Sequence, residues 1–168
     1  DGERLSPIFL ENAEAIADSA GAIYGAMAKL PRTLLHGDAH CANMIVEHAK
    51  IRIFDWQVIR LGPGVVGLAC YLSWMRPEVQ NQDLSDLLKS YLDGFNDTFH
   101  GVYEWNVFRD HLRFAVLANF CHILRLASAR TVSDGMGLVL IRFLIDSHNK
   151  MAETFNFLET WNEFQKGT

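Results

Sequence analysis

An aspartate, four intervening residues, an asparagine, and then a second aspartate closing a short apolar run stand in one stretch of the chain: Asp38, Asn43 and Asp55. They lie in Leu34-Leu35-His36-Gly37-Asp38-Ala39-His40-Cys41-Ala42-Asn43, followed by Met44-Ile45-Val46 and Ile51-Arg52-Ile53-Phe54-Asp55-Trp56-Gln57. Carboxylate, amide and carboxylate in this order suit phosphoryl transfer. There one carboxylate takes the proton of the acceptor hydroxyl, and an amide oxygen and another carboxylate hold magnesium against nucleotide phosphates. Asp38 and Asn43 are far enough apart for a loop to fold back and point both side chains at one phosphate, while a hairpin over 44–55 returns Asp55 to the same place. Taken singly, each is an ordinary turn or strand-end cap. Three at this spacing, with His-Gly before and Trp-Gln after, favour catalysis over capping.

His-Gly-Asp, with Asp-Trp-Gln where protein kinases carry Asp-Phe-Gly, resembles the aminoglycoside phosphotransferase and choline kinase superfamily, including its ecdysteroid-kinase-like branch. The close match covers about residues 33–59. The resemblance implies small-molecule phosphorylation with ATP and Mg2+: Asp38 as catalytic base, Asn43 and Asp55 as metal and cofactor ligands, and His36 with Gly37 as the frame of the catalytic loop. It further implies a protein-kinase-like C-terminal lobe whose N-terminal lobe, with its Gly-rich cover and lysine, is not recognisable in the chain. Low turnover by the isolated chain is expected on that basis, and the N-terminal lobe becomes its expected partner. There is one departure. Members of this superfamily usually carry Asp-Leu-Ala opening the helix after the second Asp, whereas this chain has Gly67-Leu68-Ala69.

Helical and extended periodicities place these residues. Ile16, Ala20, Ile23, Met27 and Leu30 fall on one face of a helix expected over 11–30, which Pro31 stops. Leu34-Leu35 predicts a short extended entry, and Met44-Ile45-Val46 and Ile51-Arg52-Ile53-Phe54 a small hairpin turning at 47–50. From Val65 onward the pattern is helical. Leu84, Leu87, Leu88, Tyr91, Leu92 and Phe95 mark one helix, with Asn81 or Asp83 as its cap. Phe108, Leu112, Ala115, Val116, Ile123 and Leu124 mark a longer one over 105–129. Ser133-Asp134-Gly135 breaks it, and Ile141 to Leu158 mark another. The expected fold is α+β and mostly helical, a single domain over 1–168 with a small β hairpin bearing the chemistry.

The chain of 168 residues is 49% hydrophobic and 21% charged, enough apolar material for a folded domain with a sizeable core. Its net charge of −5, with Lys and Arg scattered, lacks the basic footprint of a nucleic-acid binder. Cys41, Cys70 and Cys121 form no Cys-x-x-Cys pair, which argues against a disulfide framework and fits a reducing cytoplasm. No apolar run approaches the roughly 20 residues that span a bilayer.

Competing readings of single motifs are weaker. His36, His40 and Cys41 are poorly spaced for zinc, because Gly37 argues for a loop where two histidines would need a helix. Gly62-Pro63-Gly64-Val65-Val66-Gly67 matches a dinucleotide-binding turn in form. It lacks the second parallel strand with its acidic end. Trp74, Trp105, Trp161, Tyr71, Tyr91 and Tyr103 suit a cage for a cationic substrate, but at helical spacing they read first as core, as His111, His122 and His148 read as helix-face residues. The functional expectation is an O-phosphotransferase acting on a small hydroxylated molecule. The alternative is a helical binding or regulatory module derived from such a kinase. The acceptor, whether aminoglycoside, choline-like amine, amino alcohol, sugar or sterol, is not selected by any residue.

Overall fold

A computed structural model describes residues 6–80, 84–101, 103–128 and 135–167. Eight α-helices and two two-stranded antiparallel sheets make up these residues, so the chain is mostly helical with a small β component. Helix α1 (Pro7–Asp18) and helix α2 (Ala20–Met27) divide the single helix expected over 11–30. The break is slight. Ser19 still donates to the Ala15 carbonyl and accepts from Ile23, but its ψ is near zero, and a Ser followed closely by Gly21 is a usual place for a helix to kink. The expected face is kept: Ile16, Ile23 and Met27 are buried, and Ala20 and Leu30 pack against the same core.

Strand β1 (Arg32–Leu35) pairs with β4 (Arg60–Pro63), and β2 (Met44–Glu47) pairs with β3 (Lys50–Ile53). The turn between β2 and β3 has two central residues, His48 and Ala49, both with positive φ, the twist that a two-residue hairpin requires. Strand β4 is unanticipated by the sequence. Leu34↔Leu61 and Thr33↔Gly62 fix its register, and its Gly62 faces Leu35 so closely that a Cβ would meet the Leu35 Cδ1 at 2.7 Å.

Helices α3 (Gly64–Ser73), α5 (Ser85–Phe99), α6 (Trp105–Ser128), α7 (Gly135–Thr154) and α8 (Phe157–Gly167) form the body, with a single turn, α4 (Pro77–Gln80), between α3 and α5. Helix α6 is central and touches α2, α3, α5, α7 and α8. Its face of Phe108, Leu112, Ala115 and Val116 is buried as the periodicity requires, and Leu88, Leu92 and Phe95 are the buried stripe of α5. The final helix expected through Leu158 is two helices. Asn156 adopts a left-handed conformation (φ 49°), a residue type that tolerates it, and there the chain leaves α7 and enters α8. The proposed caps Asn81 and Asp83, the break at Ser133 and Asp134, and the side chains of Ile123, Leu124 and Ile141 lie outside the described residues. Among the described residues no helix is long and apolar enough to cross a membrane.

Candidate active site

The loop after β1 carries His36, Gly37 and Asp38. His36 is buried, and both of its ring nitrogens are used: Nε2 lies 2.7 Å from the Phe54 carbonyl oxygen and Nδ1 3.3 Å from the Asp38 amide nitrogen. A carbonyl only accepts, so Nε2 carries the hydrogen and Nδ1 accepts the Asp38 N–H, a neutral ring. Gly37 follows with φ 89°, and a Cβ there would fall inside the contact distance of the Val58 carbonyl oxygen. Glycine is needed on both counts. The two residues turn the chain as it leaves the strand, and the Asp38 side chain stays partly exposed on the wall of a cavity.

A short 3-10 turn, Cys41–Asn43, then brings Asn43 back against Asp38. The Asn43 Nδ2 donates to the Asp38 carbonyl oxygen at 3.0 Å and stands 3.3 Å from Asp38 Oδ2. With Nδ2 held inward, Oδ1 of this buried amide is the atom left for another partner. His40 Nε2 is 3.4 Å from Asp38 Oδ2 and 3.3 Å from Asn43 Nδ2, and its ring lies 4.7 Å from that of Trp74. His40, which its sequence context singled out only as a weak zinc ligand, lies beside the Asp38 carboxylate.

Asp55 reaches the same loop through its neighbour. Phe54 N donates to Asn43 O at 3.1 Å while Phe54 O accepts from His36, so the residue before Asp55 is fastened to both ends of the His36–Asn43 loop. Asp55 itself is exposed and left-handed (φ 63°), and Trp56 after it packs its ring 4.6 Å from that of His36 while donating from Nε1 to Ile53 O. Asp38 and Asn43 are thus in direct contact. Asp55 is positioned by backbone pairing, with no hydrogen bond between its carboxylate and the other two.

A cavity of about 1260 Å3 opens on Asp38. Its walls come from α1, α2, β1, β4, α3 and α6: alanines at 13, 17 and 20, with Met27 and Val66, make most of one side, and Arg60, Cys70 and Asn119 bring polar atoms. The Cys70 thiol is pushed up, first by burial and then by the nearby Asp38 carboxylate, with Arg60 opposing. Arg60, Cys70 and Asn119 had no signal in the sequence, because they come together only through β4 and the packing of α3 on α6. A second cavity of about 590 Å3 lies across β1, against Trp56, Gly67 and Tyr91.

The aromatic side chains divide between core and site. Trp161 and Tyr103 are buried, Trp105 packs on the core, and Tyr71 and Tyr91 border the second cavity, so none of these five lines the cavity beside Asp38. The glycines of the 62–67 run face protein: Gly62 and Gly67 face Leu35, and Gly64 faces Tyr91 and Phe95. Gly67, where the superfamily pattern has aspartate, has a leucine methyl 3.2 Å from the position of a Cβ.

The loop from His36 to Asn43, tied to the residue before Asp55, brings together the residues on which the resemblance to the aminoglycoside phosphotransferase and choline kinase superfamily rests. Residues 9–102 match the model of the ecdysteroid kinase-like family, and the chain belongs to that family. No curated protein and no solved structure matches it.

Proposed function

We propose that this chain carries the phosphoryl-transfer site of an ATP- and magnesium-dependent kinase of the aminoglycoside-phosphotransferase type, which phosphorylates a hydroxyl of a small molecule. The observation that carries the reading is the 3.3 Å approach of Asn43 to the Asp38 carboxylate within a loop fastened at both ends to Phe54. Magnesium takes hard oxygen ligands, commonly one or two carboxylates supplemented by substrate phosphates. Asn43 Oδ1, left over when Nδ2 bonds Asp38, and the exposed Asp55 carboxylate are such oxygens, so the residues present fit the ion, which neutralises phosphate charge when bound.

Asp38 orients the acceptor hydroxyl and receives its proton as the hydroxyl oxygen bonds to the γ-phosphorus and the bond to the β–γ bridging oxygen breaks, releasing ADP. His36 acts on this step only by holding Asp38 and Phe54 in place. The large cavity is where the acceptor lies, since Asp38 is on its wall. The nucleotide approaches from the side of the hairpin. There Met44, Val46, Ile51 and Ile53 alternate onto one face, and Val46 and Ile51 are 74% and 64% exposed, an apolar surface suited to cover by an N-terminal lobe of the same protein. The three free thiols suit a reducing, cytoplasmic setting.

The test is transfer from γ-labelled ATP to a panel of hydroxylated small molecules by the full-length natural protein, with and without magnesium, for wild type and Asp38→Asn. The substitution keeps the shape of the side chain and removes its basicity, so kcat should fall by roughly 10²–10⁴-fold with the melting temperature and the KM for ATP nearly unchanged. Undiminished transfer by Asp38→Asn would remove the basis of this reading.

A further inference from the structure

Below the large cavity, His148 on α7 is 1% exposed and makes two hydrogen bonds. Its Nδ1 lies 2.8 Å from the Leu144 carbonyl oxygen, which only accepts, so Nδ1 carries the ring hydrogen. Burial holds the ring neutral, its pKa pushed down to about 4. Nε2 is therefore a bare acceptor, and 3.2 Å away stands the Asn119 side-chain amide of α6. Only the NH2 end of that amide satisfies Nε2; the opposite orientation would set two acceptors against each other. The direction of the Asn119 amide is thus dictated by the tautomer of His148, and its oxygen points away from the imidazole.

That oxygen takes no hydrogen bond from the described residues. It is also not enclosed, because Ser6 Oγ is the one buried side-chain polar atom among them without a partner. Asn119 lines the large cavity, and there Asp38 and Asn119 supply the two side-chain oxygens that can only accept. Most of the remaining wall is apolar, with Tyr24, Arg32, Arg60 and His122 bringing further polar side chains to it.

We infer that Asn119 is a specificity-determining residue of this cavity: its oxygen, aimed by His148, selects an acceptor molecule that carries, on an apolar skeleton, a second hydroxyl or amine donor besides the hydroxyl presented to Asp38. The inference rests on the reading that this cavity receives the acceptor. A ligand without the second donor leaves the Asn119 oxygen dry and unpaired, and sites built to hydrogen-bond a substrate group discriminate strongly against analogues that lack it. His148 touches no ligand in this arrangement and is a positioning residue.

Octane-1,8-diol and its monomethyl ether are suitable probes, since each has one hydroxyl for Asp38, they differ only in the second donor, and their flexible chain makes no demand on the separation of the two sites. Titration of the chain by NMR should show the diol binding roughly tenfold more tightly than the ether, beyond the statistical factor of about two from its equivalent ends. Asn119→Leu should reduce the preference to that statistical factor while leaving ether binding within a few-fold. Both probes should also move the backbone resonances of the cavity-lining residues Ala20, Val66 and Cys70. A preference that survives Asn119→Leu while those resonances move with both probes overturns the role of Asn119 and leaves the cavity reading standing. Binding of both probes that leaves those resonances unmoved overturns the cavity reading and the inference with it. The unmutated chain provides a check independent of any folding defect: the Asn119 side-chain amide resonances should move with the diol and not with the ether, and the His148 ring nitrogens should show hydrogen on Nδ1. Equal shifts, or hydrogen on Nε2, overturn the inference.

Discussion

Acid should weaken this fold through one histidine, by an amount that its burial sets. His148 has its pKa pushed from the ordinary 6.5 down to about 4, chiefly because burial penalises the charged ring; nearby His122 adds to this and the Leu144 carbonyl opposes it. Above pH 6.5 the ring is neutral in both folded and unfolded chains and contributes no pH dependence. As pH falls below 6.5 the unfolded chain takes up a proton that the folded chain refuses, so stability is lost on acidification until the folded ring titrates near pH 4. The difference of 2.5 units corresponds to about 3 kcal/mol in full, of which about 2 kcal/mol is lost by about pH 5. That is a large share of the 5–15 kcal/mol by which domains are ordinarily stable. Urea unfolding of wild type and His148→Gln between about pH 7 and pH 5 isolates the effect, because the carboxylates that titrate in the same range are common to both proteins. The variant should be the less stable at neutral pH, through its disturbed bonds to Asn119 and Leu144, and the two curves should converge by about 2 kcal/mol on acidification. Parallel curves would refute the argument that His148 is held neutral by the fold.

Gly37→Ala should cost roughly 1–3 kcal/mol by urea unfolding, since the residue is left-handed and its Cβ meets the Val58 carbonyl; an unchanged midpoint would show that the loop after β1 is not tightly set. The same variant should lose phosphotransfer turnover beyond its loss of stability, because Gly37 directs the chain between His36 and Asp38. Asp55→Asn should lower magnesium-dependent nucleotide affinity, read by calorimetry, while leaving the fold intact, because asparagine tolerates the φ of 63° that Asp55 adopts. Asn43→Ala should also release the Asp38 carbonyl and carboxylate contacts, and therefore should lower kcat as well as metal affinity. If Asp55→Asn bound the magnesium nucleotide unchanged, the metal role of Asp55 would be wrong.

Much of this was legible because it is local. The helical stripes of α5 and α6, the hairpin β2–β3 and the close approach of Asp38 and Asn43 follow from periodicity and from spacing within one loop, and the chain folds them as its sequence suggests. The kink at Ser19 and the break at Asn156 were missed for a related reason. Apolar spacing runs on through both points, and only the backbone conformations of single residues divide the helices. Strand β4 had no alternation to announce it: Arg60-Leu61-Gly62-Pro63 looks like a turn until β1 is placed beside it. The walls of the large cavity lay further out of reach. Asn119 on α6 and Cys70 on α3 share a space with Asp38 only after α3 has packed across α6, and no pattern within a single helix encodes that crossing.

Gly67 is best understood from the same packing. In the sequence it stands where the superfamily pattern has an aspartate. In the fold, β4 and α3 each present a glycine to Leu35, Gly62 to one methyl and Gly67 to the other, and Leu35 is 5% exposed. A Cβ at 67 would lie 3.2 Å from one of its methyls. The leucine also directly precedes His36, whose ring fixes both Asp38 and Phe54. Leu35 thus packs from β1 into the junction of β4 and α3, in close contact with both glycines. A larger side chain at 67 would press on the Leu35 methyl by a few tenths of an ångström and extend toward the second cavity, which Gly67 borders, so the glycine keeps the contact between α3 and β1 close.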